Sequence, residues 1–353
     1  MKKRREILEA AGFGSAALMA AMAMVPGTVQ AETLAAIPEE APKHHIRFAV
    51  CGISHDHIQG MIGAVQRGGG ELVSWWGAEP DKRAEFVRRY PNAKAARTQD
   101  EVLHDPSVQL VLSSQIASER AAIGMRAMRA GKDFLSDKPG ITTLDDLAGV
   151  RKTIGETGRI FAILYSERLE VRAAVHAGEL IKQGAIGKVI QTINIAPHQI
   201  DQFLFYTGST KAEIAAAQIA NLRHPDHPHF QDFGDMMLRG DKGFGYVRLD
   251  WFTPDGLGTW GDGRLFVLGT EGYIEIRKYT DVAVSKQGNN LFLVDGKRAR
   301  YIDCNKGPLP FGRQFVADIV NRTHNAQDQA QCLLAAELSI RAQQIAKQVT
   351  LAG

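Results

Sequence analysis

Residues 46–57 read Ile-Arg-Phe-Ala-Val-Cys-Gly-Ile-Ser-His-Asp-His, and the architecture of the first half of the chain follows from this stretch. Ile46, Phe48 and Val50 recur at every second position up to Cys51-Gly52, the period of a strand, and a helical pattern then runs over residues 57–67 until Gly68-Gly69-Gly70 stops it. That is one β-α unit. A second follows, with a strand expected over residues 71–78 and a helix over 80–90 that has Pro80 in its first turn. A third strand over 109–114 precedes a helix over 118–130 that ends at Gly131. A short strand over 132–136 leads into Asp137-Lys138-Pro139-Gly140. Thr143 with Asp146 three residues on resembles a capping box for the next helix, and residues 159–165 supply another strand. Strands alternating with helices specify a parallel, doubly wound sheet over residues 44–166, an α/β class.

After one more helix, expected over residues 170–183, the hydrophobic period changes from that of a helix to that of a strand. Residues 246–252, 264–268 and 272–279 alternate apolar with polar side chains, and turns fall at Thr270-Glu271-Gly272 and Asp295-Gly296. Residues 167–353 therefore read as an α+β domain with a large, mostly antiparallel open sheet. A final amphipathic helix over 326–347 is expected to pack back between the two domains.

At 353 residues, 44% hydrophobic and 23% charged, the chain has ordinary globular proportions with room for two domains; disordered, collagen-like and small disulfide-stapled classes are excluded. Cys51, Cys304 and Cys332 share no zinc-type spacing, and an odd number cannot all pair within one chain. Lys2, Lys3, Arg4 and Arg5 precede an uncharged stretch over 10–31 that closes on Val29-Gln30-Ala31, the order of an export signal over residues 1–31 cleaved near Ala31. Adjacent arginines followed by Ile7-Leu8, with Ala and Gly rather than Leu in the apolar part, resemble the twin-arginine type. The expected location is periplasmic or otherwise exported, with the export machinery as a partner; an anchor retained in the membrane is the alternative. Residues 32–43, ETLAAIPEEAPK, have no period and read as a linker. Removing residues 1–31 takes away four basic and two acidic side chains from a chain of formal charge +3. The near-neutral remainder, without Lys/Arg clusters, argues against a nucleic-acid partner.

Gly52-Ile53-Ser54-His55-Asp56-His57 lies where a strand ends and a helix begins, the place where backbone N–H groups and the helix dipole receive a pyrophosphate. The spacing is that of GxGxxG with Ser54 and His57 at the later glycine positions, so the Ser54 hydroxyl becomes a phosphate donor; a plain strand–helix turn has the same pattern. Glu79, 27 positions after Gly52, is the candidate acceptor for ribose hydroxyls, or else a solvated loop charge. Gly52, Ile53, Ser54, His55, His57, Glu79, Ser113, Asp137 and Lys138 form the candidate dinucleotide cradle. Asp137-Lys138-Pro139 follows a parallel strand and so directs Lys138 into the crevice at the strand C-termini.

The order of β-α units, this Asp-Lys-Pro, the later antiparallel domain and Gly184-Ala185-Ile186-Gly187-Lys188-Val189 together resemble the glucose-fructose oxidoreductase, inositol dehydrogenase and rhizopine-catabolism (Gfo/Idh/MocA) family over nearly the whole mature chain. The resemblance implies a Rossmann-type first domain with NAD or NADP as cofactor, a sugar or polyol substrate, Lys138 beside nicotinamide and substrate, and a homo-oligomer packed through the open sheet. It also implies an Asp-x-x-x-His pair with a trailing Asp. His198 and Asp201 fit the last two, but Asn194 stands in the first position and cannot accept a proton. Residues 189–197 run straight into His198 without the family's substrate-facing segment. The implied catalytic set is Lys138, His198 and Asp201. Glu79 favours NAD, while Lys82 and Arg83 are candidates for a 2′-phosphate. His224-Pro225-Asp226-His227-Pro228-His229, with Asp232 and Asp235 beyond, offers metal-type donors at a spacing that fits no zinc motif, so no metal is expected. Trp251, Trp260, Tyr206 and Phe252 are candidates for stacking on a sugar ring or for the core.

An exported nicotinamide enzyme meets no exchanging pool of its cofactor, which must travel already bound and be reset in place. The leading expectation is therefore an exported NAD(P)-dependent sugar or polyol oxidoreductase whose tightly bound, non-exchanging nicotinamide is recycled internally by a second substrate. Two alternatives stand beside it: a redox-neutral NAD-dependent glycosidase resembling the family's hydrolase branch, and a non-catalytic sugar-binding or assembly homologue with an incomplete site.

Overall fold

The computed structural model describes residues 29–37, 40–195, 198–283 and 285–351. The expected export signal lies, up to residue 28, outside the described residues. Gln30–Thr33 form a strand, β1, and the stretch after it up to residue 45 has no regular structure where it is described. No helix among the described residues is long and apolar enough to cross a membrane.

β2 (Ile46–Cys51) buries every side chain but Arg47, because both faces of a parallel sheet are covered by helices. It is followed by α1 (Ile58–Arg67), β3 (Gly70–Trp76), α2 (Pro80–Arg89), β4 (Lys94–Ala95), α3 (Gln99–Leu103), β5 (Leu110–Ser113), α4 (Ala117–Arg129), β6 (Asp133–Ser136), α5 (Leu144–Thr157) and β7 (Phe161–Ile163). The strand order is β4-β3-β2-β5-β6-β7 and every pair is parallel. This is the doubly wound Rossmann-type sheet expected from the sequence. The chain moves outward from β2 to β4, then returns to β5, so the switch point lies between the C-terminal ends of β2 and β5. Local chemistry sets the helix ends: Pro80 opens α2, the Thr143 hydroxyl accepts from Asp146 N ahead of α5, and Gly158 closes α5 at φ +63°.

The helix expected over 170–183 is α7 (Arg172–Lys182), and a further short helix, α6 (Ser166–Leu169), precedes it. The break between them falls where Val171 is extended and Glu170 is drawn out to Arg67 by an ion pair, which local periodicity does not register. Next come β8 (Val189–Ile195), α8 (Gln199–Thr207), β9 (Ala212–Ala220), β10 (Phe233–Gly240), β11 (Phe244–Asp250), β12 (Arg264–Gly269), β13 (Tyr273–Arg277), β14 (Asn290–Val294), β15 (Ala299–Asp303), α9 (Phe311–Asn321), α10 (Gln329–Ile345) and β16 (Lys347–Gln348). They build a sheet in the order β1-β15-β14-β13-β12-β8-β11-β10-β9-β16, antiparallel except at β1/β15, β8/β11 and β9/β16. One face buries Leu265, Val267, Ile274, Ile276, Leu291 and Leu293 against the alanines of α7. The register aligns Tyr246, Ile193, Phe266, Glu275, Phe292 and Tyr301 in one row across the other face.

Two C-terminal helices join this sheet to the first domain. Cys332, Leu333, Ala336 and Leu338 of α10 share one core with Phe134, Phe161 and Ile163 on one side and Phe203, Leu238 and Val247 on the other. α9 crosses α1 at backbone contact: a Cβ on Gly312 would lie 1.9 Å from Ala64 O, and one on Gly68 would lie 2.1 Å from Gly312 O. Beyond α9, Arg322 grips the buried Asp133 carboxylate with both terminal nitrogens, at 2.7 and 2.8 Å. Gly312→Ala is therefore expected to force the two helices apart and to lower unfolding stability by about 2 kcal/mol, read from the midpoint of a urea titration.

Candidate active site

The loop after β2 passes the switch point at closest approach. Gly52 has φ +106°, and a Cβ there would lie 2.5 Å from Gln115 Cβ, so only glycine fits. Gly52 N donates to Trp76 O at 2.8 Å, and its carbonyl accepts from Ser114 N at 3.1 Å, tying the ends of β2, β3 and β5. Ile53 turns inward and is buried in the core. Ser54 Oγ meets Glu79 Oε1 and also lies 2.8 Å from Gln115 Oε1; its single proton serves one of them at a time. Glu79 precedes α2 without capping it, and its Oε2 is buried with no hydrogen-bond partner among the described residues. A buried carboxylate oxygen beside the switch point fits a donor from outside the chain, such as a ribose hydroxyl. Ser113 Oγ donates to Cys51 O at 2.6 Å and accepts from Gln115 N at 3.3 Å, so this hydroxyl works within the sheet.

Asp137, at the end of β6, is the hub between this loop and the cavity next to it. It is buried, and its Oδ1 accepts from His57 Nδ1 at 2.9 Å and from Lys138 N at 2.7 Å. Arg120 lies 3.1 Å from Oδ2 and His55 3.5 Å from it. Arg120 is itself buried, and donates from Nε to Gln115 O and from Nη1 to the carbonyls of Lys138 and Pro139. Burial pushes the Asp137 carboxyl up, but the His57 hydrogen bond and the Arg120 charge prevail and hold it below its ordinary value. His55, His57 and Asp137 bring metal-type donor atoms within 4.8 Å of one another. Arg120 already balances the carboxylate, and a second cation there would face both Arg120 and Lys138, so the trio is built for hydrogen bonding. In the histidine-rich loop, His224 Nδ1 pairs at 2.8 Å with Asp232, whose oxygens also accept from Leu222 N and Arg223 N. Asp232 thereby folds that loop.

Lys138 and His198 come from different domains and line one cavity of about 400 Å³, together with Tyr165, Asp201 and Trp251. His198 opens α8 at φ +81°, with its ring edge-on to Tyr165 and its Nδ1 buried without a partner among the described residues. Burial, and then the charges of Lys138, Lys278 and His57, hold the imidazole well below its ordinary value, so it is neutral near pH 7. Burial also lowers the Lys138 ammonium, against the opposing pull of Asp137 and Glu167, and Arg120 lowers it further. Asp201 is buried and clamped by Arg168 at 2.5 and 3.1 Å, and accepts from Gln331 Nε2 at 3.1 Å. Asn194 is buried on β8, donates to Thr192 Oγ1 at 3.1 Å, and is not among the residues lining the cavity. Tyr206 is core, with its hydroxyl on Ala174 O.

The structure thus gathers Gly52, Ser54 and Glu79 at one end, Lys138, His198 and Asp201 at the other, and His57 with Asp137 between them. Sequence reasoning passed over Gln115, Arg120 and Arg168, and also Glu167, whose carboxylate takes Lys278 Nζ, Tyr279 OH at 2.8 Å and Gln199 Nε2 at 3.2 Å. Glu167 and Arg168 follow the last parallel strand closely, a place that flags a crevice residue. Nothing local marks Lys278, since its partner is 111 positions away.

No protein-family model matches the chain. It is 27% identical over 159 residues to the 1,5-anhydro-D-fructose reductase of Ensifer adhaerens, covering 43% of this chain and 47% of that protein. The chain thus spans about half the length of that relative. Similarity to the scyllo-inositol 2-dehydrogenase (NAD(+)) of Bacillus subtilis is longer, 23% over 289 residues, covering 73% of this chain and 82% of that one. Among solved structures, a protein of Erwinia carotovora atroseptica provisionally named an oxidoreductase is 41% identical, with a TM-score of 0.84, covering 86% of this chain and 100% of its own. The aldose-aldose oxidoreductase of Caulobacter crescentus, solved with glycerol, shares the fold at a TM-score of 0.70 and 16% identity, over 86% and 97% of the two chains.

Asp137→Asn is expected to leave Arg120 buried without its counter-charge and to destabilise the protein by about 3 kcal/mol at neutral pH in urea titrations. Because the folded carboxyl lies below its ordinary value of 3.8, its contribution is fully present above that pH and is lost as the pH falls through the folded value. The gap between wild type and variant should accordingly close on acidification.

Proposed function

Because the chain belongs to the Gfo/Idh/MocA family of oxidoreductases, we propose that it oxidises a hydroxyl of a sugar or polyol against a nicotinamide dinucleotide held at the switch point. A carbonyl-bearing second substrate would then take the hydride back, so that the dinucleotide stays bound. One observation carries this reading: Lys138 and His198, brought from two domains, face a single cavity beside the crevice where Glu79 presents a buried oxygen without a partner among the described residues.

A bound nicotinamide ring supplies the hydride acceptor. Gly52, Ser54, His57, Glu79 and Gln115 are the residues that would hold the dinucleotide, with Glu79 accepting from the ribose. Lys82 is paired with Asp56 at 2.7 Å, and Arg83 is drawn to Gly77 O at 2.9 Å and over the Trp75 ring. Both cations are thus engaged beside a carboxylate that repels a 2′-phosphate, which supports NAD over NADP.

The proton is handled by the chain itself. Lys138, with its ammonium held below the ordinary lysine value, takes the proton of the reacting hydroxyl. His198 stays neutral and orients that hydroxyl through a ring nitrogen, since Asn194 supplies no carboxylate to raise its basicity. Asp201, clamped by Arg168, positions the first turn of α8 and so the histidine.

The N-terminal basic cluster and apolar stretch support export to the periplasm, where a bound, recycled cofactor answers the lack of an exchanging pool. The row of Tyr246, Ile193, Phe266, Phe292 and Tyr301 on the outer sheet face supports a homo-oligomer packed through that face.

Denaturing the protein purified from the exported fraction and weighing what it releases tests the reading directly. Stoichiometric NAD is expected; no nucleotide, together with no binding of added NAD or NADP, overturns it in favour of a sugar-binding protein. Paired sugars should exchange redox state, whereas release of nitrophenol from nitrophenyl glycosides would instead mark a redox-neutral glycosidase. Lys138→Ala is expected to lower kcat for oxidation about 10²- to 10⁴-fold. In the wild type, oxidation should rise with pH and level off below the ordinary lysine value of 10.5 as the amine loses its proton, while reduction falls over the same range. In Lys138→Ala both dependences should vanish.

A further inference from the structure

Residues 251–263 connect β11 to β12 and carry two large apolar side chains in water: Trp251 is 56% exposed and Trp260 is 86% exposed. The two rings meet edge to face at 5.6 Å, and Phe230 also lies 5.6 Å from Trp251. Their placement follows from the sheet. β11 runs parallel to β8 with Arg248 opposite Ile195, so Trp251 follows its strand just as His198 follows its own, three residues beyond the paired position. Val247, Leu249 and Trp251 alternate onto the side of β11 that lines the Lys138–His198 cavity, away from the outer row that contains Tyr246. Trp251 N is fixed to Asp232 O at 3.0 Å, and Trp260 stands next outward. The connecting loop bends through Gly258 at φ +71°, and neither Gly256 nor Gly258 has an atom near its missing Cβ.

We infer that Trp251 and Trp260 form a stacking platform for a second sugar ring, one indole face beneath it and the other indole at its side, so that the ligand of this cavity is a disaccharide or glycoside: one ring lies at Lys138 and His198, the next against the tryptophans. The inference rests on the sugar reading above and specifies its substrate class. A pyranose offers a face of C–H groups that covers an aromatic ring and a rim of hydroxyls that needs polar partners. Both are present: Gln231 and Gln343 line the same cavity as Trp251, whereas Asp235 is hydrogen-bonded to Gln218 and to Tyr246 on the outer face. A protein partner fits less well, because Trp251 lines the Lys138–His198 cavity, off the outer sheet face.

Calorimetric titration of the full, nucleotide-loaded protein with glucose, galactose, cellobiose, maltose and lactose tests this, with tryptophan fluorescence as a second readout. At least one disaccharide is expected to bind about tenfold more tightly than its component monosaccharide, and Trp260→Ala to cut that preference about five- to tenfold, with Trp260→Phe restoring most of it. Equal affinity for mono- and disaccharides, or a preference that Trp260→Ala leaves untouched, overturns the platform. So does a change in oligomer mass on Trp260→Ala, which would make the tryptophan a subunit contact. Monosaccharide oxidation without disaccharide preference sinks the platform alone. Disaccharide binding that depends on Trp260, in a protein that transfers no hydride, supports the platform and sinks the redox reading.

Discussion

Asp137 is a carboxylate that the fold has taken out of water, and what surrounds it compensates for that burial. His57 brings the loop after β2, Arg120 brings α4, and Lys138 contributes its own backbone N–H, so three separate segments are fixed to one charged group. Arg120 extends the arrangement by binding the carbonyls on either side of the turn that carries the lysine. The direction of Lys138 is therefore set by charges around the backbone before any ligand arrives. Preorganisation of this kind lets a long, flexible side chain act at a defined point.

The first domain was largely legible because its signals are local. Alternation at Ile46, Phe48 and Val50, Pro80 at a helix start, the Thr143 cap and a glycine helix stop each lie within a few residues of the element they define. Lys138 was legible for a related reason, since a residue after a parallel strand must face the crevice. Ser113 carried the same positional signal, yet its hydroxyl turns back to Cys51 O, because position fixes the end of the sheet and not the rotamer. The pairing of Glu167 with Lys278 was illegible: it exists only once α6 is packed beside the end of β13, 111 positions further on.

The substitution read as a loss in the sequence has a definite electrostatic consequence. With Asn194 turned to Thr192 inside β8, His198 has no carboxylate of its own, and the charged groups that act on it are Lys138, Lys278 and His57, all of one sign. Burial adds to their effect. A neutral imidazole under these conditions serves as a positioning partner, and the proton-accepting role moves to the lysine. The buried carboxylates Asp137, Glu167 and Asp201 are held by Arg120, Lys278 and Arg168 in that order. Each shapes the field and the geometry without having to change its own protonation.

These two groups can cooperate only if the domains keep their spacing, and the packing provides for that. α10 belongs to a core that includes side chains from both sheets, so separating the domains would expose Phe134 and Phe161 together with Phe203 and Val247. α9 touches α1 through backbone at Gly312, where no side chain can act as a cushion. Arg322, itself exposed, adds an ionic hold through the buried Asp133 on the strand that leads to Asp137 and Lys138. A crevice joined by continuous core opens less readily than one closed by a polar domain interface, because opening it means breaking apolar packing. That constraint favours a dinucleotide that remains in place while smaller molecules come and go through the cavity beside it.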